Sequence, residues 1–70
     1  MSYNQWSNGL ISLEEAIQIA LQEVPGRAVK AELESKNGLL IYEVDIVSDY
    51  GDYEVRVDAS TGNVIRVEYD

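Results

Sequence analysis

Carboxylates are the side chains of this 70-residue chain that could do chemistry. The sequence has 13 aspartate and glutamate residues against five lysine and arginine residues, and it has neither histidine nor cysteine. Serine–histidine and cysteine–histidine nucleophile systems and the usual zinc sites are therefore excluded. A catalytic carboxylate pair of the glycosidase type would need a cleft, for which a chain of this length has little volume. We predict no enzyme activity and no cofactor.

Three aspartates around a predicted turn are the metal-ligand candidates of the sequence. Asp45, Asp49 and Asp52 could supply the oxygen atoms that calcium prefers, but their spacing matches no twelve-residue calcium loop. The segment 58–63, DASTGN, resembles the start of such a loop and lacks its later bidentate glutamate. We interpret both segments as turn-forming and solvating, and we predict no metal site.

The formal net charge of −8 restricts the partners of the chain. Such a charge repels nucleic-acid phosphates and anionic lipid surfaces, which leaves a basic protein, a divalent cation or simple solubility as explanations. No apolar run approaches the ~20 residues that cross a bilayer. Residues 1–9 also lack the basic start and apolar centre of a signal peptide. We predict a protein partner, no nucleic acid and no membrane insertion.

One amphipathic helix is predicted to organise the domain. Its apolar residues recur three and four positions apart, and they are Leu13, Ala16, Ile17, Ala20, Leu21 and Val24. Ser12 and Glu15 have the spacing of a capping box at the start of the helix. Pro25 and Gly26 predict its end, with Gly26 in a left-handed turn. A helix with one apolar face requires a sheet on which to lie.

After residue 26 the apolar residues alternate as they do in β-strands, and four strands are predicted at 29–34, 39–47, 53–58 and 64–69. Asn37-Gly38 predicts a two-residue type I′ hairpin, which sets Leu33 opposite Tyr42 and Val29 opposite Ile46. The even positions of the second strand, Leu40 to Ile46, are predicted to lie beneath the helix.

The next turn, closed by Val47 opposite Asp52, sets Glu43 opposite Arg56. In the last strand two arrangements remain open: Ile65, Val67 and Tyr69 face the helix, or a bulge at Gly62 turns Val64 inward. The predicted fold class is α+β, with one α-helix packed on a four-stranded antiparallel β-meander in two layers. The domain covers residues 11–70, and residues 1–10 form a loose arm.

The odd positions of the second strand are the predicted protein-contact residues. Leu39, Ile41 and Val47 point away from the helix, and charged residues flank Ile41. A partner would meet an apolar centre with an acidic rim, which favours a basic protein. Alternatively, the N-terminal arm covers these residues with Trp6 or Tyr3, or the scattered apolar residues have no role. The chain is expected to be a monomer or a weak homodimer.

Four segments of the chain resemble the PepSY domain, which occurs in propeptides of thermolysin-like metallopeptidases and in bacterial cell-envelope and spore-germination proteins. The segments are ISLEEAIQIALQEVPG, KAELES, NGLLIYEVDIV and YEVRVDASTGNVI, and they span about Ile11 to Val67. The matching features are Ala16-x-x-x-Ala20, the Pro25-Gly26 exit, Tyr42-Glu43-Val44 and Asp58-x-x-Thr61-Gly62. The resemblance implies a helix on an antiparallel sheet, an extracytoplasmic location in bacteria, a role in restraining peptidase activity, and no catalytic residue.

The leading hypothesis for function is a non-enzymatic regulatory or inhibitory module that acts on a peptidase or an envelope protein by protein–protein contact. The alternative is a structural or folding-assistance domain of a longer parent protein, with or without calcium. A titration of calcium against thermal stability separates them, because a ligand that prefers the native state raises its stability.

Overall fold

The computed structural model describes residues 9–70, which form one helix followed by one antiparallel sheet. The elements are α1 (Leu13–Glu23), β1 (Arg27–Lys36), β2 (Leu39–Ser48), β3 (Gly51–Asp58) and β4 (Val64–Tyr69). The sheet order β1-β2-β3-β4 follows the chain, so each strand pairs with its neighbour in sequence. The predicted two-layer α+β meander is confirmed. Most of the predicted arm, including Tyr3 and Trp6, lies outside the described residues.

The helix begins as its capping box predicts. The Ser12 hydroxyl accepts a hydrogen bond from the Glu15 amide at 3.0 Å, and the Glu15 carboxylate accepts one from the Ser12 amide at 2.9 Å. The helix ends at Glu23, and the Val24 amide donates the last helical bond to the Ala20 carbonyl at 2.9 Å. These contacts satisfy backbone groups that a helix otherwise leaves free at its two ends.

Gly26 has a different role from the predicted left-handed turn, because its φ is not positive. A Cβ atom at this position would lie 2.5 Å from the Val47 carbonyl oxygen and 2.9 Å from Cγ2 of Ile46. The chain therefore passes so close to β2 that no side chain fits between them. Glycine is required at residue 26 by this close approach and not by its backbone conformation.

The first hairpin has the predicted turn and most of the predicted register. Asn37 and Gly38 have φ values of 54° and 79°, as a type I′ loop requires, and Leu33 pairs with Tyr42. The pairing of Val29 with Ile46 is wrong. A register shift between residues 28 and 30 places Ala28 opposite Ile46 instead, and Val29 is left 53% exposed in the bulge.

The second hairpin pairs Val47 with Asp52 and Glu43 with Arg56, as predicted. Strand β3 begins at Gly51, two residues before the predicted start, because Ser48 closes a tighter turn. The Ser48 hydroxyl donates a hydrogen bond to the Gly51 carbonyl at 2.9 Å and accepts one from the Tyr50 amide at 3.1 Å. The turn at the end of β3 is held in the same way by Asp58, which accepts from the amides of residues 60 and 61.

In β4 the structure combines the two arrangements left open by the sequence. The register shifts at Ile65, which has no partner on β3, so Val64 lies opposite Val57 and packs against the core. Val67 then lies opposite Val55, and Tyr69 lies opposite Tyr53. The bulge is therefore at residue 65 and not at Gly62, and Val64, Val67 and Tyr69 share the face of the sheet toward the helix.

The core lies between α1 and the three strands beneath it, β1, β2 and β3. On the helix, Ala16 and Ala20 are fully buried, and their small side chains allow a close approach to the sheet. The fully buried sheet residues beneath them are Val44, Ile46, Val55 and Val57. The prediction that Leu40 lies beneath the helix is wrong, because it is 39% exposed. It lies two residues closer to the hairpin tip than Tyr42, whose hydroxyl already contacts the chain entering α1, at the Ile11 carbonyl.

Candidate protein-contact site

The candidate site is the face of the sheet that points away from α1, here called the outer face. The strand registers place all five cations of the chain on it, together with most of its carboxylates. The cations are Arg27, Lys30, Lys36, Arg56 and Arg66; the carboxylates are Glu32, Glu34, Glu43, Asp45, Asp52, Glu54, Asp58, Glu68 and Asp70. Within residues 9–70 the only helix lies on the other side of the sheet. The outer face is thus a charged surface with an excess of negative charge.

Ion pairs cross the strands at one part of this face. Glu43 lies 3.2 Å from Nε of Arg56 and 3.7 Å from Nζ of Lys36, which links β2 to both of its neighbours. Nε of Arg56 is buried and donates no hydrogen bond to any of residues 9–70, so its contact with Glu43 is electrostatic. The side chains of Glu43 and Arg56 are only 15% and 26% exposed, so this pair is screened by water less than the others.

Carboxylates face each other directly at three positions of the same surface, and Glu54 opposite Glu68 is the position nearest the end of the sheet at β4. Glu32 lies opposite Glu43, and Asp45 lies opposite Glu54, in the strand registers. These four residues, with Lys30 and Asp70, line a shallow depression. Like charges directly opposite on neighbouring strands are destabilising. One ammonium among these carboxylates leaves the depression negative.

The negative charge around Lys30 changes the pKa of its side chain. Its ammonium lies 3.3 Å from the Glu32 carboxylate. The hydrogen bond that this ammonium donates to Glu32 and the negative charge of Glu32, with smaller contributions from Asp45 and Glu34, raise the pKa of Lys30 above its ordinary value. Desolvation of the ammonium lowers this pKa, but by less than the hydrogen bond to Glu32 or the charge of Glu32 raises it. The depression therefore favours a cation within it, which is the property a basic partner would use.

The predicted contact residues occupy very different environments. Leu39 and Val47 are 42% and 36% exposed, whereas Ile41 is 3% exposed. The expectation that Ile41 is uncovered is therefore wrong; it lies in a central strand with Glu34 on one side and Asp58 on the other. Leu39 and Val47 are about 26 Å apart along β2, given a rise of about 3.3 Å per residue. The three residues form no continuous apolar patch.

The three aspartates considered as metal ligands are not assembled into a site. Asp45 lies within the sheet opposite Glu54, Asp52 lies opposite Val47 at the start of β3, and Asp49 is in the exposed turn between them. Among residues 9–70, no group of three or more histidine, cysteine, aspartate or glutamate side chains is placed to hold a metal ion.

The helix-side surface of β4 was missed by the sequence analysis. Val67 and Tyr69 are 41% and 65% exposed although they point toward the helix side, because α1 packs on the other three strands. The ring of Tyr69 packs edge-on against Tyr53, with ring centroids 5.1 Å apart. One signal could have predicted this: a helix about 10 Å wide cannot cover four strands spaced about 4.8 Å apart.

Comparison with known proteins identifies one family over nearly the whole chain. The model of the family PepSY, "Peptidase propeptide and YPEB domain", matches residues 10–68. Two proteins of Bacillus subtilis strain 168 are similar over 61 residues: the uncharacterized protein YkoJ at 34% identity and the uncharacterized membrane protein YkoI at 38% identity. Each alignment covers 86% of this chain, but only 36% of YkoJ and 27% of YkoI. The chain thus spans about a third of the length of these relatives.

A solved structure has the same fold. The crystal structure of CD1622 from Clostridium difficile 630, a protein assigned as a lipoprotein, superimposes with a TM-score of 0.86 at 28% sequence identity. The match covers 90% of this chain and 41% of that protein. Within the described part of the present chain, α1 is too short and too polar to cross a membrane.

Proposed function

This chain belongs to the PepSY family, and we propose that it is a non-enzymatic regulatory module that acts by protein–protein contact. The partner is a peptidase that the module restrains, or an envelope protein. The family description, which names peptidase propeptides, supports the choice of a peptidase. The absence of histidine and cysteine from the sequence supports a function in binding, because it removes the common nucleophile systems.

One observation carries the choice of the outer face as the contact surface. Carboxylates lie directly opposite each other there, Glu32 with Glu43 and Asp45 with Glu54. Like charges at such positions cost about 0.2–1 kcal/mol, and the ion pairs of Glu32 with Lys30 and of Glu43 with Arg56 offset part of this cost in the free chain. A lysine or arginine side chain of a partner in the depression would reduce this repulsion. The energy of repulsion in the free chain would therefore favour formation of the complex. The charge of the outer face is therefore complementary to that of a positively charged partner surface.

The exposed apolar residues at the two ends of β2 complete the proposed surface. Leu39 and Val47 lie on either side of the acidic depression and would contact apolar parts of the partner. Ile41 is buried and would support the strand without touching the partner. The proposed contact surface thus has a charged centre and apolar ends. The surface expected from the sequence had an apolar centre and an acidic rim.

We place the module outside the cytoplasm. Its relatives include a protein assigned as a lipoprotein and a membrane protein, and the chain spans less than half of either. A small module of this kind would then work beside a membrane-attached segment of a longer protein, or beside a secreted peptidase.

The test measures peptide hydrolysis by a thermolysin-like metallopeptidase as the chain is added. Inhibition that saturates, and that weakens as salt is raised from 0.05 to about 0.5 M, is expected for a contact steered by charge. The same preparations are examined by light scattering for a complex. Absence of both inhibition and complex at micromolar concentrations would show that such a peptidase is not the partner.

The contact surface is tested separately with Asp45→Asn. This change removes the repulsion between Asp45 and Glu54 and also the attraction between Asp45 and Lys30, which lies opposite it on β1. The stability of the free chain should therefore change little, while binding weakens by about threefold or more. The matched control is Asp49→Asn, the same substitution in the exposed turn, which should leave binding unchanged. Equal binding by both variants would remove the outer face as the contact surface.

A further inference from the structure

Among residues 9–70 no strand pairs with the edge of β4 that points away from β3, here called the free edge, and the sequence of this edge is complementary to itself. Around Val67 the strand reads Ile65, Arg66, Val67, Glu68, Tyr69, so that apolar residues alternate with one cation and one anion placed symmetrically. Two copies of this strand, paired antiparallel about a two-fold axis at Val67, bring Arg66 of each copy opposite Glu68 of the other. We propose that β4 is the contact between two copies of this chain, which joins their sheets into one of eight strands.

The backbone of β4 is oriented for this register. The Asp70 amide donates to the Asp52 carbonyl at 2.9 Å, so residue 70 directs its backbone groups toward β3. Residues 68 and 66 do the same, because the direction alternates along an antiparallel strand. The N–H and C=O groups of Val67 and Tyr69 therefore point to the free edge. In a pair centred on Val67, the two copies of that residue exchange two hydrogen bonds.

Charge distinguishes this register from its neighbours. A two-fold axis at Arg66 would set arginine against arginine, and one at Glu68 would set glutamate against glutamate; both are unfavourable. With the axis at Val67, only opposite charges are directly opposite. The side chains of Arg66 and Glu68 are 58% and 43% exposed, and they now contact each other at 3.4 Å within one strand. They can exchange that contact for the equivalent one across the interface.

The apolar residues of the edge would also be covered. Val67, which is 41% exposed in the single chain, would lie opposite its own copy on the helix side, where the single helix does not reach. Tyr69, which is 65% exposed, would lie beside the bulge at Ile65 of the second copy. The two-fold axis is perpendicular to the sheet, so both helices lie on the same face and the outer faces of both copies remain free. The proposed dimer therefore does not depend on the proposed peptidase contact.

The other edge of the sheet is protected from such pairing. Strand β1 has its register shift next to Lys30, and Lys36 lies at its end. Bulges and lysines are features by which edge strands avoid association. Strand β4 also has a bulge, but it lies at Ile65 and leaves residues 66–69 in regular register with β3. Of the two edges, β4 is the one that can accept a further strand.

A charge exchange tests the proposal by sedimentation at about 0.15 M salt, where charges beyond about 8 Å are screened. The parent chain should dimerise in a concentration-dependent manner. Arg66→Glu alone and Glu68→Arg alone each set like charges opposite and should weaken the dimer by about tenfold. The double variant Arg66→Glu/Glu68→Arg should restore it. Circular dichroism confirms that the variants fold, and Glu14→Arg on the helix is the control for a change in net charge.

Mixing the two single variants gives the sharpest result. One copy then has two glutamates and the other two arginines, so the mixed pair has only opposite charges at the interface. Native mass spectrometry should show the mixed dimer in preference to either homodimer. A parent chain that stays monomeric to about 1 mM, a double variant that fails to restore association, or a mixture without the mixed dimer would each overturn the proposal.

The register is tested by a disulfide, since the chain has no cysteine of its own. Hydrogen-bonded residues opposite each other in antiparallel strands have Cα atoms about 5.5 Å apart, which a disulfide can span. Val67→Cys should therefore form a covalent dimer under mild oxidation. In the control Ile65→Cys, on the same edge, the two cysteines would be about 13 Å apart and should not crosslink. Equal crosslinking of both variants would exclude the Val67 register.

Discussion

Val44 and Val47 are three residues apart on the same strand, and they belong to the two different surfaces of this sheet. Val44 is fully buried beneath α1, where Ala16 and Ala20 allow a close helix. Val47 is 36% exposed on the outer face, among charged neighbours. On the helix side, the volumes of the side chains determine which residues fit. On the outer face, the charges of the side chains determine which residues lie next to each other. Changes in volume should therefore act on stability, whereas changes in charge on the outer face should act mainly on association.

The largest expected difference between the two surfaces comes from one substitution made at both valines. Val44→Ala should lower the free energy of unfolding by about 1.5–3 kcal/mol, because a fully buried side chain of this size contributes that much. Val47→Ala makes the same chemical change and should cost less than about 1 kcal/mol, since half-buried strand positions span only that range. Urea unfolding measures both. Equal losses would mean that the outer face is packed like the core.

Removing a hydrogen bond at the margin of the core should lower the free energy of unfolding by an intermediate amount. The Tyr42 hydroxyl donates to the Ile11 carbonyl at 2.8 Å, and it ties the start of the helix to the centre of the sheet. Tyr42→Phe keeps the ring and removes this bond, which should cost about 0.5–1.5 kcal/mol in urea unfolding. Tyr50→Phe, at a residue that is 85% exposed, is the control and should leave stability unchanged. A loss shared by both variants would contradict the assignment.

The smallest effect concerns charge on the outer face. Because Glu32 raises the pKa of Lys30, the protonated lysine stabilises the folded chain. This contribution is complete below the unfolded pKa of about 10.4 and is lost as the pH rises through the higher folded value. Glu32→Gln should lower the pKa of Lys30, as followed by NMR at its side chain. Glu14→Gln, on the helix, should not, and an unchanged pKa in Glu32→Gln would show that the ion pair is absent in solution.

The parts of the fold that were predictable from sequence have strong local signals. The Ser12–Glu15 capping box and the Asn37-Gly38 turn each depend on residues within a few positions of one another, so the chain needs no distant contact to specify them. The register of the second hairpin followed from its turn in the same way. Agreement among such local signals is what makes a small fold predictable.

The features that were not predictable depend on how distant segments fit together. The bulge at Val29 has no marker in its own sequence and follows from the way β1 meets β2. The burial of Ile41 likewise cannot be derived from its alternation with charged residues, which favours an exposed position. The uncovered side of β4 depends on where one helix lies relative to four strands. The sequence thus predicted the face of the sheet on which Leu39, Ile41 and Val47 lie, but not the burial of Ile41, and a contact at this face remains a proposal.

The close passage of Gly26 over β2 limits which sequences can evolve within this fold. At a left-handed position such as Gly38, with open space around it, an asparagine or aspartate can replace glycine because only the backbone conformation must be tolerated. At residue 26 the obstacle is the Val47 carbonyl itself, and any Cβ would meet it. During evolution Gly38 in the hairpin turn can therefore be replaced. Gly26, after the helix, must stay a glycine unless β2 moves away from it.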